Sequence, residues 1–314
     1  FVWGGEADAD CVLRIRNAPA TELHNVGIHG NTLAANGLQI THVEGDASYA
    51  SMGRAVGCYF AACRVNNVLI GAIESGNNYG DLSGWTFDNC SFGSSSGATT
   101  VAHFRQRAEA TLGTTLTNCR FTKADADNYP ARGVSIQGGT VNVYGGLADP
   151  VTEAVFYIDA ATDIPLPGLC VYGFEAQSGG MLLKTSTAGH SLASPPGPSW
   201  RVVEMHGILS TDIVAPVSGT SIQWDIGDSM TLVLGGGRYQ GDIEITETDA
   251  LVVANGPYLG GSIPPDADFT GAGSSRVSGT WFKDGGRHYR WPDLPIYADS
   301  AAAAALPLGN MFRT

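Results

Sequence analysis

Charge is scarce in this chain, and the little there is leans acidic. Of 314 residues, 15% are Asp, Glu, Lys or Arg, with 17 basic side chains against 30 acidic ones and a formal net charge of −13. No basic run exists: the nearest approach, His103-Phe104-Arg105-Gln106-Arg107, alternates as a strand with one wetted face does. A nucleic-acid partner, which needs a clustered basic face, is therefore not expected. Long apolar runs are missing too, so membrane insertion is not expected. Helical spacing is almost absent, because Gly or Pro interrupts every candidate stretch except the short Ala-rich segment Ala301–Leu306. The chain opens on Phe1, which reads as the start of a fragment or of an ordered region.

Metal and cofactor motifs are missing as well. Cys58 and Cys63 have no second ligand pair at zinc spacing. Asp125-Ala126-Asp127-Asn128 lacks the Gly and distal Glu of a calcium loop, and Gly235-Gly236-Gly237 lacks the Lys-Ser/Thr of a phosphate cradle. His190, His206 and His288 stand apart with no ligand spacing. No metal and no cofactor is expected.

What the sequence does have is a repeated phrase: a polar or small residue, Asn or Gly, Cys or Gly, a variable residue, then an apolar one. It is read at Asn25-Val26-Gly27-Ile28, Ala62-Cys63-Arg64-Val65, Asn89-Cys90-Ser91-Phe92, Asn118-Cys119-Arg120-Phe121 and Tyr144-Gly145-Gly146-Leu147. Looser copies start at Tyr172, His206, Gly236, Asn255 and Gly279. The period is roughly 28 residues, in the range of stacked repeat arrays. Cys63, Cys90 and Cys119 then fall in one slot of consecutive coils, about 4.8 Å apart as free buried thiols, a spacing that suits neighbouring strands better than a disulfide torsion. Asn25, Asn89, Asn118 and Asn255 are expected at a buried corner, their amides satisfying bent backbone.

A second strand family alternates strictly. Phe104, Ile136, Ile158, Leu183, Trp224 and Ile245 are expected to face inward, while His103/Arg105, Ser135/Gln137, Tyr157/Asp159, Leu182/Lys184, Gln223/Asp225 and Glu244/Thr246 face outward. Loops are expected around 42–57, 93–113 and 186–200, the last stiffened by Ser194-Pro195-Pro196-Gly197-Pro198. Together these features predict an all-β, single-stranded, right-handed parallel β-helix of about ten coils. Its parts are a lead-in over 1–11, the β-helix over 12–284 and a C-terminal cap over 285–314.

The pattern over about residues 12–284 resembles the pectate-lyase-like β-helix superfamily and, more narrowly, bacteriophage tailspike and tail-fibre proteins. The ending from Leu294 to Thr314, with Pro295-Ile296-Tyr297-Ala298-Asp299, an Ala run, Gly309 and Phe312-Arg313-Thr314, is similar to a segment that closes many phage tail proteins. The resemblance implies a homotrimeric virion tail protein that recognises a host cell-surface polysaccharide alongside other tail proteins, and it leaves depolymerase activity undecided. The alternatives are a secreted, extracellular bacterial polysaccharide hydrolase or lyase and a purely structural stalk.

Glycoside hydrolysis takes two carboxylates, near 5 Å apart for retention and roughly 6.5–9.5 Å for inversion. Asp159 and Asp225 are the candidate catalytic pair, two rungs apart (about 9.6 Å) with the Lys184 rung between them. An ion-paired ladder around Lys184 is the non-catalytic reading of the same column. His103, Arg105, Gln137, Tyr157, Lys184, Gln223 and Glu244 are the candidate substrate-binding strip. A lyase would draw its base and charge neutraliser from His103 and Arg105.

Overall fold

In the computed structural model, residues 1–2, 4, 10–42, 52–73, 82–94, 100–107, 113–122, 129–159, 168–177, 180–186, 202–211, 219–226, 230–239, 241–246, 250–254, 257–259, 269–270, 281–284 and 287–290 are described. The repeated phrase is a one-residue corner followed by a strand. At Asn25, Asn89 and Asn118 the backbone passes through the left-handed region, at φ of +53°, +52° and +49°. Gly57, Gly145, Gly173 and Gly207 do the same, between +62° and +64°. Asn and Gly tolerate this conformation where other residues are strained. Successive corners are tied together: the amides of Asn25, Gly57, Asn89 and Asn118 donate to the carbonyls of Val56, Asp88, Thr117 and Tyr144, each at 2.9 Å. The three Asn side chains are exposed. The expectation of buried Asn is corrected: the corner selects Asn for its φ, and Asn255 lies outside the described residues.

The residue after the corner turns inward. Tyr59 pairs with Ser91, and Ser91 with Arg120, so Cys58, Cys90 and Cys119 share one buried column. Each thiol donates to a carbonyl of the strand before its corner on the preceding coil: Cys58 to Leu23 at 3.5 Å, Cys90 to Ala55 and Cys119 to Phe87 at 3.4 Å. Cys63 instead lies buried just past Ala62 (φ +59°), at a different corner. The repeat copy is therefore Gly57-Cys58-Tyr59-Phe60 in place of Ala62-Cys63-Arg64-Val65. A second slip is one residue long, since Gly145 stacks on Asn118, and Gly146 takes the slot of Cys119.

The coils build a parallel β-solenoid with three faces, where the sequence suggested two strand families. The first sheet has 10 strands, running in order through Cys11–Arg16, Asn36–His42, Asn66–Ile73, Ala102–Gln106, Arg132–Ile136, Ala154–Asp159, Met181–Ser186, Thr220–Trp224, Asp242–Ile245 and Phe269–Thr270. The second has 9, from Glu22–His24 to Leu251–Ala254. The third has 11, from Gly27–His29 to Arg287–Arg290, and includes the one antiparallel pair among the described residues, Trp281–Asp284 with Arg287–Arg290. That hairpin lies at the terminal edge of its sheet, where an open parallel edge otherwise invites further pairing. The described residues hold no helix. Ala301–Leu306, the phage-tail-like ending and the Pro-rich loop lie outside them.

Inside, aromatic rings follow the same columns. Phe60 stacks on Phe92 at 5.5 Å and Phe92 on Phe121 at 5.0 Å between ring centroids. The first sheet adds two inward columns. One holds Phe104, Val134, Phe156, Leu183, Ile222 and Ile243; the other holds Gln106, Ile136, Ile158 and Thr185, with Trp224 and Ile245 beyond. All the residues expected to point inward are fully buried, but they divide between these two columns.

Two outcomes follow from the corner and the thiol column. Asn118→Ala lowers stability by about 1–2 kcal/mol through its φ, whereas Asn118→Gly stays within about 0.5 kcal/mol, as read from urea midpoints. Thiol labelling of the native protein reaches Cys11 and Cys170 first, because Cys58, Cys63, Cys90 and Cys119 are buried and none of the six is in a disulfide. Burial drives the Cys63 thiol up to about 12, and the hydrogen bond with Cys90, with burial, drives Cys119 upward as well. All six label after denaturation, and fast native labelling of Cys90 or Cys119 contradicts the packing.

Candidate functional site: the outer face of the ten-stranded sheet

Alternation along the first sheet throws every second residue outward, and register turns those residues into columns. Arg105 pairs with Ser135, Ser135 with Tyr157, Tyr157 with Lys184, Lys184 with Gln223 and Gln223 with Glu244. Five of the expected strip residues, Arg105, Tyr157, Lys184, Gln223 and Glu244, thus stand in one file. Two residues along lies a second file with Arg107, Gln137, Asp159 and Ser186. Carried on two residues past Lys184 and Gln223, the register sets Asp225 over Ser186. Asp159 and Asp225 therefore do share a column. The rung between them carries Ser186, because Lys184 belongs to the Tyr157 file.

The carboxylates have separate partners. Gln137 Nε2 donates to Asp159 Oδ2 at 2.8 Å. Asp225 is folded against Thr185, whose hydroxyl meets its carboxylate and accepts from its backbone amide at 2.8 Å. Lys184 neutralises neither: its Nζ lies 3.0 Å from Glu153 Oε1, and Arg132 Nε lies 2.7 Å from Glu153 Oε2. Burial raises the Glu153 pKa, but these two cations outweigh it and hold the carboxyl below its ordinary value. The expected ion ladder around Lys184 is thus replaced by an Arg132–Glu153–Lys184 triad. The Arg132 guanidinium also covers the Tyr157 ring at 3.4 Å from its centroid, and Tyr157 is only 7% exposed. A sugar cannot stack on that covered ring face.

His103 is not on this face. It is completely buried, its ring 6.1 Å from that of Phe121, and Asn67 Nδ2 lies 2.8 Å from its Nδ1. Because the amide donates, Nδ1 accepts and the proton sits on Nε2. Asn67 in turn donates to Gly93 O at 2.9 Å and accepts from the Cys63 amide at 3.3 Å. The expectation of an outward His103, as sugar contact or as lyase base, is overturned by this packing: His103 and Phe104 are both interior, which breaks the alternation. Desolvation pulls its pKa down to about 3, only partly opposed by the Thr122 backbone.

The sequence reading passed over an aromatic file on the second sheet. Tyr144 pairs with Tyr172 and Tyr172 with His206. Their rings stack at 5.6 Å and 5.2 Å, tilted by 11° and 5°. Tyr172 donates to Glu204 Oε2 at 2.7 Å, and that bond, with some burial, pushes its pKa up to about 12. The signal was present, since all three residues directly precede a corner Gly. Face-to-face stacking takes both faces of Tyr172 and one face each of Tyr144 and His206, so the file braces the corner.

Among the described residues, no group of three or more His, Cys, Asp or Glu converges as a metal site. No protein-family model, curated protein or solved structure matches the chain.

The His103 environment fixes a pH dependence. Its folded pKa lies below the unfolded value of about 6.5, so its contribution is complete above about pH 6.5 and is lost as pH falls toward 3. Between pH 7 and pH 5 the wild type should lose about 2 kcal/mol that His103→Gln does not lose. Urea unfolding of both proteins at the two pH values checks the slope, and equal slopes contradict a buried neutral imidazole.

Proposed function

We propose that this chain is a tailspike or tail-fibre protein of a virion tail, acting as a homotrimer, that engages a host cell-surface polysaccharide along the outer face of its ten-stranded sheet. The observation that carries the reading is the outward file in which Arg105 and, on three consecutive rungs, Lys184, Gln223 and Glu244 stay partly exposed while Ser135 and Tyr157 between them are buried, flanked by Gln137 and Asp159. A linear array of planar and charged groups, repeating at the strand spacing of about 4.8 Å, suits a linear polymer whose hydroxyls repeat. The sparse charge of the chain and the ending over Leu294–Thr314 agree with it. Binding is the stronger half of the proposal. Hydrolysis needs both carboxylates aimed at one glycosidic bond, and here Asp159 and Asp225 are engaged by Gln137 and Thr185.

The test is a panel of bacterial capsule and O-antigen polysaccharides. The expected result is retention of at least one polymer without new reducing or unsaturated ends, weakened roughly tenfold by Gln223→Ala. Shortened polymer that persists in wild type and disappears in Asp159→Asn makes the protein a depolymerase. No retention by any polymer leaves a structural stalk and refutes the glycan reading.

A further inference from the structure

The outer file contains a local excess of positive charge in a chain whose formal net charge is −13. Arg105 lies on the strand Ala102–Gln106, Arg107 directly follows it with its amide bonded to the Ile70 carbonyl, and Arg132 stands on the neighbouring strand. Arg132 is taken by Glu153. Arg105 has no such partner: its Nε is buried and makes no hydrogen bond among the described residues. Desolvation, then the charges of Arg107 and Arg132, lower its pKa, with Asp159 giving only partial relief. A second polar atom in the file is also unsatisfied. Ser135, directly paired with Arg105, is 1% exposed, and its hydroxyl has no hydrogen-bond partner among the described residues. A half-desolvated guanidinium beside another cation and an orphaned hydroxyl is an arrangement that an anionic oxygen ligand completes.

We propose that Arg105, Arg107 and Ser135 form a subsite for the carboxylate of an acidic sugar, so that the glycan engaged along this face is anionic. The inference rests on the glycan reading above and names its substrate class. A guanidinium presents parallel N–H donors matching the two oxygens of a carboxylate, whereas a neutral sugar hydroxyl offers one acceptor and no charge. The surrounding acidity sharpens the selection. A polyanion is repelled by the molecule as a whole, so it is held only where its carboxylates reach these cations. Salt screens that long-range repulsion more than it weakens the half-buried contact.

The experiment is titration calorimetry of the full chain with a short oligoglucuronate and with a neutral oligoglucose of the same length. The proposal expects binding of the acidic oligomer only, weakened roughly tenfold or more by Arg105→Gln and by Arg107→Gln. Arg105→Lys should recover part of the loss, since it keeps charge but not the planar fork. Unchanged thermal melting separates lost contact from lost fold, and Arg107→Gln, just past the end of the strand Ala102–Gln106, serves if Arg105→Gln melts early. Equal binding of both oligomers, or acidic binding untouched by either substitution, overturns the subsite while leaving a glycan-binding protein. Binding of neither oligomer also overturns it, and the polysaccharide panel then decides the broader reading separately.

Discussion

Parallel hydrogen bonding between successive coils is the constraint on which the rest of the molecule depends. Once the amide of one coil bonds the carbonyl of the next in fixed register, residues some thirty apart in sequence become neighbours about 4.8 Å apart, and each column must meet one physical demand along its length. At the corner the demand is positive φ, met by Asn25, Gly57, Asn89, Asn118 and Gly145. One step inward it is a small side chain that can satisfy itself in a dry interior, met by thiols bonding carbonyls of the coil before. Two steps further it is volume, met by stacked Phe rings.

Interior polarity follows the same logic. Asn67, His103 and Gln106 occupy fully buried positions where a regular coil would place apolar groups. Asn67 links the Gly93 carbonyl, the Cys63 amide and the imidazole, and Gln106 donates to Gly138 O at 2.7 Å. The pairing is incomplete, since His103 Nε2 and Gln106 Oε1 make no hydrogen bond among the described residues, and the network is tolerable only while the imidazole stays neutral, which couples the fold to the protonation of one histidine.

The fold class was legible because corner chemistry and alternation are local properties. Asn-Cys-x-Phe at two successive coils announces a one-residue turn and an inward pair without any knowledge of the neighbours. Register was less legible. A slip of two residues preserves inside and outside, so aligning Lys184 with Asp159 looked as good as the true pairing of Lys184 with Tyr157. Only the hydrogen bonds between coils distinguish them, and they determine whether Lys184 separates two carboxylates or serves Glu153. His103 was misread for a related reason: its partner Asn67 is 36 residues away, and nothing near His103 marks the break in alternation. The third face escaped notice because strands of three residues are too short to show a period. On the outer face the columns bring most of the expected polar strip together, yet they spend Tyr157, Lys184 and Asp225 on partners within the fold. Among the described residues Arg105 Nε and the Ser135 hydroxyl are left without a hydrogen-bond partner, which is the basis of the proposed carboxylate subsite.

Distances between spin labels along one outward column test the stacking most directly. Thr86, Thr115, Asn142, Cys170, Glu204 and Val233 follow one another rung by rung on the second sheet. With Cys11 and Cys170 replaced by Ser, labels at Thr86 and Glu204 should lie about 19 Å apart and those at Thr86 and Val233 about 24 Å, an increment of about 4.8 Å for one rung. Separations that fail to grow by one strand spacing per rung would contradict the solenoid and every column drawn on it.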